Sequence, residues 1–320
     1  MTKLKVAIIG CKNMGRKHLN ILREHFADEV EIAGILNSRP ETTTAAAKEL
    51  GVKAFASLDD ITLQNVDAAI ISTPAESHFA ITKELLQRHI PLLVEKPFAI
   101  STAECLELKQ LAEQNKTAVL VGHTENYNPA VIAMLQDIRR PVKSIEGIRT
   151  SCNPGFKETH VISELMIHDL AIVNALLPQT PNHEKVGKDS RYRWDEQAIV
   201  ELEYADGATV KIEAVRADVP IERWMKIVDA NDTLYEIRFR ERQLLKNGRE
   251  ISCSGDSLVS EIGDFLSMVQ NGTRPHISLE EACDNVALCN RLEAKCQTNP
   301  QQQVNPALIN NIMKTLKSKA

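Results

Sequence analysis

A glycine-bracketed segment, Gly10-Cys11-Lys12-Asn13-Met14-Gly15, follows an apolar run at 6–9 and precedes a stretch whose apolar residues recur at near-helical spacing. A turn of that kind at the opening of a helix offers backbone N–H groups and the positive end of the helix dipole to an anion. The pyrophosphate of a dinucleotide is the anion that such turns take. Gly10, Lys12, Asn13, Met14 and Gly15 are therefore candidate cofactor-binding residues. The dinucleotide fingerprint has glycine at its first, third and sixth positions, and the third here is Lys12. Its side chain would either obstruct a phosphate or turn outward and offset its charge. After the next apolar run stand Asn37, Ser38 and Arg39, with no acidic residue among them. An acid there would accept from a ribose 2′-hydroxyl, whereas Arg beside a small polar residue suits a 2′-phosphate, so NADP is favoured over NAD.

Three further groups close apolar runs, at the carboxyl ends of strands where open α/β sheets build their sites. Ser72-Thr73-Pro74, with His78 beyond it, follows the strand counted fourth, and Glu95-Lys96-Pro97 follows the fifth. Gly122-His123-Thr124-Glu125-Asn126-Tyr127-Asn128-Pro129 follows the sixth. Ser72, Thr73, Pro74, His78, Glu95 and Lys96 join the cofactor candidates, and Tyr127 is a candidate for the substrate pocket. Lys96 sits near the buried edge of a sheet, where a lysine has few purely structural explanations. Further on, Glu164-Leu165-Met166-Ile167-His168-Asp169 falls in a helical stretch, and Glu164 and His168, four apart, project from one face. His18, His123 and Arg139-Arg140 read as structural. Seven scattered cysteines form no C-x-x-C pair, and no His/Cys/Asp cluster has ligand spacing, so reduced thiols and no metal are expected.

The elements that must carry these groups follow from periodicity. Apolar runs at 6–9, 31–36, 68–71, 91–94 and 118–122 alternate with helical stretches at 14–25, 41–50, 79–88 and 102–114. Uniformly apolar strands separated by helices form a parallel sheet covered on both faces. Residues 1–125 thus predict an α/β, doubly wound, Rossmann-type dinucleotide-binding domain. Beyond them come a helix near 129–139, a strand near 144–150 and a helix near 161–177. Alternating strands follow at 198–204, 208–215, 225–229 and 234–239, with Asp206-Gly207 and Asn247-Gly248 as turns. Helices at 257–270 and 279–296 close the pattern. Residues 126–320 therefore read as an α+β substrate-binding and oligomerisation domain. Its large, open, mainly antiparallel sheet has one face on helices and the other free. Ile199, Leu202 and Tyr204 fit either face.

Thirty-eight Lys and Arg against 43 Asp and Glu leave a net charge of −5, without the basic excess of a nucleic-acid binder. The apolar run after Lys5 is too short for a signal-peptide core, and no stretch nears the ~18 apolar residues of a membrane span. No membrane partner and a cytoplasmic location are expected.

The Gly10–Gly15 turn, the Thr73-Pro74 to His78 pattern, Glu95-Lys96-Pro97 and Leu165-Met166-Ile167-His168-Asp169 together resemble the Gfo/Idh/MocA oxidoreductases, over both domains. The last motif most resembles the branch containing UDP-N-acetylglucosamine 3-dehydrogenases. The resemblance implies hydride transfer between NAD or NADP and a secondary alcohol of a sugar or nucleotide sugar. It makes His168 the general base, for which an ordinary pKa of about 6.5 is suited. It makes Lys96 the cation that steadies the developing alkoxide, and Glu164 the group that orients His168 or binds a hydroxyl. Lys96, Glu164, His168 and Tyr127 would then contact the substrate, with the amine and the imidazole meeting at the nicotinamide. A cis bond before Pro97 and a homodimer or homotetramer through the C-terminal sheet are also implied. Four positions depart from the family pattern: Lys12 for Gly, Glu164 for Asp, Asn126 for Arg and Ala171 for Asp. They motivate an alternative, a non-catalytic dinucleotide- or sugar-binding protein that kept the fold. Reduction of an imine or a linear tetrapyrrole is a third reading.

Overall fold

The computed structural model describes residues 2–63, 65–152 and 160–296. The chain forms two compact units, one containing Met1–Gly122 and Leu258–Cys283, the other His123–Ser257 and the segment from 284.

The first unit opens with β1 (Leu4–Ile9), α1 (Asn13–His25), β2 (Val30–Leu36), α2 (Pro40–Leu50) and α3 (Asp59–Leu63). It continues with β3 (Ala68–Ile71), α4 (His78–Gln87), β4 (Leu92–Glu95), α5 (Thr102–Gln114) and β5 (Val119–Gly122). The strands pair in parallel in the order β2-β1-β3-β4-β5. Residues 6–9 and 68–71 are wholly buried, as strands covered on both faces must be. The winding direction reverses between β1 and β3, and such a reversal opens a crevice at the carboxyl ends of those strands. Ala68–Ile71 is thus the third strand of five, not the fourth. The interval before it holds α3 and only one bridge to the sheet edge, Ile35 with Ala54. Gly34 makes that approach possible, because a Cβ there would lie 2.7 Å from the Phe55 ring.

The second unit contains α6 (Pro129–Asp137), β6 (Val142–Ser151), a π-helical turn (Ile162–Met166), α7 (Ile167–Leu176) and β7 (His183–Gly187). Then come β8 (Gln197–Glu203), β9 (Thr209–Arg216), β10 (Arg223–Asp229), β11 (Leu234–Arg238), β12 (Gln243–Lys246) and β13 (Arg249–Ile251). The eight strands are ordered β13-β12-β11-β10-β6-β9-β8-β7. All neighbours are antiparallel except β6 and β9, which run parallel at the centre. Alternate residues such as Val200, Leu202, Ile212 and Ile227 pack under α6 and α7. Leu202 and Tyr204 belong to that covered face, while Ile199 points to the other.

Two helices close the described chain, α8 (Ser257–Asn271) and α9 (Leu279–Ala294). Residues 258–283 return to the first unit and residues 123–125 fall in the second, so the expected division at 125/126 differs in both places. The return has a physical cause: Ile262, Phe265 and Leu266 form a buried stripe on α8. Gly263 faces the Phe26 ring at the end of α1, and Glu280 pairs with Lys109 of α5. No described helix is long and apolar enough to cross a membrane.

Candidate functional site

In the first unit the turn after β1 leaves no room for side chains at its two glycines. Gly10 has φ +89, and a Cβ on it would lie 2.6 Å from the Ser72 carbonyl. A Cβ on Gly15 would collide with the Gly10 carbonyl oxygen. The strand ends of β1 and β3 therefore touch through bare backbone, held by the Ser72 N–H donating to Ile9 O at 2.7 Å. No side chain caps α1 and no acid lies in its first turn, so its opening N–H groups keep their pull on an anion. Lys12 is exposed at this turn. Asn13 is exposed and Met14 half-buried beside it. Ser72 Oγ is buried with no protein hydrogen-bond partner, a polar atom left for a ligand. These features fit a dinucleotide.

Several expected cofactor residues turn out to brace this cradle. Asn37 is buried; its Oδ1 accepts from Cys11 N at 2.7 Å and its Nδ2 donates to Thr42 O at 3.2 Å. That leaves Ser38, half-buried, and exposed Arg39 to face a ribose substituent. Thr73 Oγ1 accepts from Ser77 at 2.8 Å, and Pro74 is exposed. His78 is buried with Nδ1 2.8 Å from Pro97 O and Nε2 2.9 Å from Thr73 O, so it ties the ends of β3 and β4 together. Burial pushes its imidazole below the ordinary value, against the pull of the two carbonyls. The Glu95 carboxylate meets His18 Nε2 at 2.8 Å. Burial pushes Glu95 up, but the His18 hydrogen bond and the nearby charges of His18, Lys96 and His78 outweigh it and hold Glu95 low. Lys96 follows, half-buried, with a cis bond to Pro97.

In the second unit the chain after β5 makes a tight turn at Thr124–Tyr127. Tyr127 is only 3% exposed, so it presents little surface to a substrate. Asn126 Nδ2 donates to the main-chain carbonyl of Ala171 at 3.4 Å. The Ile167 N–H donates to Ile162 O, five residues back, which makes the π turn. Such turns often sit at functional sites. Glu164 and His168 are both half-buried on this stretch, which packs on β9. Arg216 at the end of β9 is 7% exposed and close enough to Glu164 for their charges to interact. Burial pushes its guanidinium below the ordinary value, against Glu164 and Asp195.

His160 lies four residues before Glu164. Its Nδ1 accepts from Ile162 N at 3.2 Å, and burial pushes it down to about 4. Its 3.8 Å approach to Glu293 is therefore not an ion pair, because the ring is neutral. Arg149, fully buried on β6, holds the start of α7. Its Nε and Nη2 donate to the two oxygens of Asp169 at 2.8 and 2.9 Å, and its Nη1 to Glu125 at 2.8 Å. Burial pushes Asp169 up, but both its oxygens must accept from the fork, so the pair is ionic. Arg140 donates to the carbonyls of Ala175 and Leu176 at the other end of α7. Arg216, Arg149 and His160 were not singled out from the sequence. A lone Arg in a strand carries no periodic signal, and its partners lie 20 or more residues away.

A parallel sheet with a glycine cradle at its reversal point is the architecture on which dinucleotides are commonly bound. Residues 4–123 match the Gfo/Idh/MocA family, described as an oxidoreductase family with an NAD-binding Rossmann fold. Over that segment of the first unit the chain is similar to the Gfo/Idh/MocA oxidoreductases. It is 26% identical over 309 residues to a UDP-N-acetylglucosamine 3-dehydrogenase of Acidithiobacillus ferrooxidans, covering 90% of this chain and 93% of that one. A solved structure of that enzyme superposes with a TM-score of 0.85 at 24% identity, over 93% and 99% of the two chains. An inositol 2-dehydrogenase of Corynebacterium glutamicum is 21% identical over 228 residues, 66% of each chain. A gentamicin A biosynthesis protein solved with NAD superposes with a TM-score of 0.78 at 16% identity, over 92% and 94%.

Proposed function

We propose that the chain is an NAD(P)-dependent dehydrogenase that oxidises a secondary alcohol of a nucleotide sugar. The observation that carries this reading is the cradle of Gly10, Gly15 and Ser72 with Lys96 at the end of the strand beside β3. When bound, the nicotinamide supplies the hydride acceptor. The first unit is the dinucleotide-binding domain in this reading, with the second serving the substrate. Lys12 and the opening of α1 take the pyrophosphate, and Ser72 Oγ donates to the cofactor. Arg39 with Ser38 takes a ribose 2′-phosphate, which favours NADP. His168 takes the proton of the hydroxyl, and Lys96 steadies the alkoxide as the hydride leaves. Glu164 binds a neighbouring hydroxyl, its charge balanced by Arg216. A nucleotide sugar is preferred to an inositol because the UDP-N-acetylglucosamine enzyme resembles this chain along nearly its whole length.

Lys12, one of the four departures that together motivate the non-catalytic alternative, is exposed, which supports a cradle that can still take phosphate. Assembly through the free face of the eight-stranded sheet is proposed with the function. The test is calorimetry with NAD+ and NADP+, followed by nicotinamide absorbance with UDP-N-acetylglucosamine and with myo-inositol. Binding of NADP+ at least about tenfold tighter than NAD+ and turnover of the nucleotide sugar are expected. Absence of binding to either cofactor removes the reading, and binding without turnover of any sugar returns the chain to the non-catalytic class. Light scattering on the same sample reads the assembly, and a monomer counts against that use of the sheet.

A further inference from the structure

Arg223 opens β10 directly opposite Arg149 of β6, so the two guanidiniums share the helix-covered face of the sheet. Like charges placed opposite each other repel. Arg149 is compensated: Asp169 gives it both oxygens and Glu125 one, while the other Glu125 oxygen accepts from Asn128 at 3.3 Å. Arg223 is not. It is half-buried, and its Nε is shut from water with no hydrogen-bond partner among the described residues. Burial pushes its guanidinium below the ordinary value, and Arg149 and Arg240 push the same way, against Glu125 and Asp169. Both of those carboxylates are already engaged. Buried donors are almost always bonded, so one left over in a basic setting points to an anion from outside the chain. The backbone brings Arg240 to the same place. Phe239, just before it, donates its N–H to Arg223 O at 3.1 Å, and its own carbonyl accepts from Asn128 Nδ2 at 3.2 Å. Arg240 is exposed, and its charge reaches Arg223. Other acids close by in the chain have partners: Glu222 accepts from the Trp224 indole at 3.4 Å, and Glu236 pairs with Arg238 at 2.8 Å. Asp169 follows His168 directly, so Arg223 stands within electrostatic reach of the segment carrying the proposed base.

We infer that Arg223 and Arg240 clamp the diphosphate of the nucleotide-sugar substrate. Each guanidinium presents parallel N–H donors that match a phosphoryl group, and two such forks match two phosphoryl groups in a row. In a nucleotide sugar the diphosphate hangs from the anomeric carbon, a few bonds from any ring carbon that is oxidised. The clamp therefore selects a sugar carrying a diphosphate over a free sugar or an inositol, whose hydroxyls carry no charge. The inference rests on the nucleotide-sugar reading and adds to it what holds the charged part of the substrate.

Calorimetry on the full-length protein with UDP, inorganic phosphate and NADP+ reads the clamp without turnover. UDP is expected to bind, and Arg223→Gln to weaken it by about ten- to a hundredfold, as loss of a charge-assisted contact does. Arg223→Lys keeps the charge without the fork and should fall between the two. Arg240→Gln, at an exposed position, is expected to cost less. Inorganic phosphate should bind far more weakly than UDP, and the affinity for NADP+ should not change in any variant. With UDP-N-acetylglucosamine and the preferred cofactor, Arg223→Gln should raise KM by the same factor as it weakens UDP. Its kcat should change by less than about threefold, because the contact is equal in ground and transition states. Thermal melting checks folding, and if Arg223→Gln does not fold, Arg240→Gln decides. The clamp is overturned if the wild type does not bind UDP, or if folded Arg223→Gln and Arg240→Gln bind it as the wild type does. Phosphate binding as tight as UDP, or a loss confined to NADP+, overturns it too, the latter by giving the pair to the cofactor. A wild type that binds UDP through these arginines but turns over no sugar removes the dehydrogenase reading and leaves the clamp. Turnover of the nucleotide sugar with both variants unimpaired removes the clamp and leaves the reading.

Discussion

Replacing Lys96 by Met keeps the length and apolar stem of the side chain and removes its charge. If the ammonium steadies an alkoxide, kcat should fall by about a hundred- to ten-thousandfold while dinucleotide affinity stays the same. His168→Asn should cost a similar factor, and the double variant little more than the worse single, because groups serving one step are not additive. Steady-state kinetics beside calorimetry check this, and two additive losses would assign the residues to different steps. His160 makes a prediction about stability. Its folded value of about 4 lies below the ordinary 6.5, because burial disfavours the charged ring. Between those values the unfolded chain binds the extra proton, so this contribution is full above about pH 6.5 and is lost as pH falls toward 4. It amounts to about 3 kcal/mol at most. Urea midpoints between pH 7 and 4 should fall less steeply in His160→Gln than in the wild type.

At the scale of elements, the site depends on how close two backbones come. The turn between β1 and α1 works because Gly15 lets the helix start directly over the Gly10 carbonyl. Gly15→Ala forces that turn to open, and overpacking of this kind costs about 1–3 kcal/mol. The loss should appear as weaker dinucleotide binding, with a smaller change in the urea midpoint, since the turn yields before the sheet does. Calorimetry and denaturation on the same protein separate the two. The other decisive element is the π turn at Ile162–Met166. Helical spacing predicts one continuous helix over 161–177, and the extra residue per turn is invisible to an apolar pattern. Asp169 is locked by the Arg149 fork just beyond the turn, so His168 is presented by a rigid segment.

For the molecule as a whole, the return of 258–283 to the first unit is the main departure from a simple two-domain chain. A fragment of residues 1–122 lacks the buried stripe of α8, in which Ile262, Phe265 and Leu266 each bury a side chain that stabilises by about 2 kcal/mol. Together they rival half the stability of an ordinary domain. The fragment is expected to melt without cooperativity, while 1–122 linked to 258–283 should show a two-state urea transition by circular dichroism. A cooperative 1–122 fragment would mean that α8 only decorates the unit.

What could be read without coordinates was local. The strand of apolar residues at 68–71 and the helix at Thr102–Gln114 match the structure residue for residue, because period and capping are written in neighbouring positions. The glycine turn was legible for the same reason. Partner choice was not: β7 was missed, and the parallel pairing of β6 with β9 ran against the hairpin pattern around it. An apolar face reports that something covers it and is silent on what. The same limit hid the polar clusters. His18 meets Glu95 across 77 residues, and Glu261 joins them from a helix some 240 residues after α1. Only the folded backbone brings these side chains within reach of one another, and burial in a low dielectric then strengthens every contact among them.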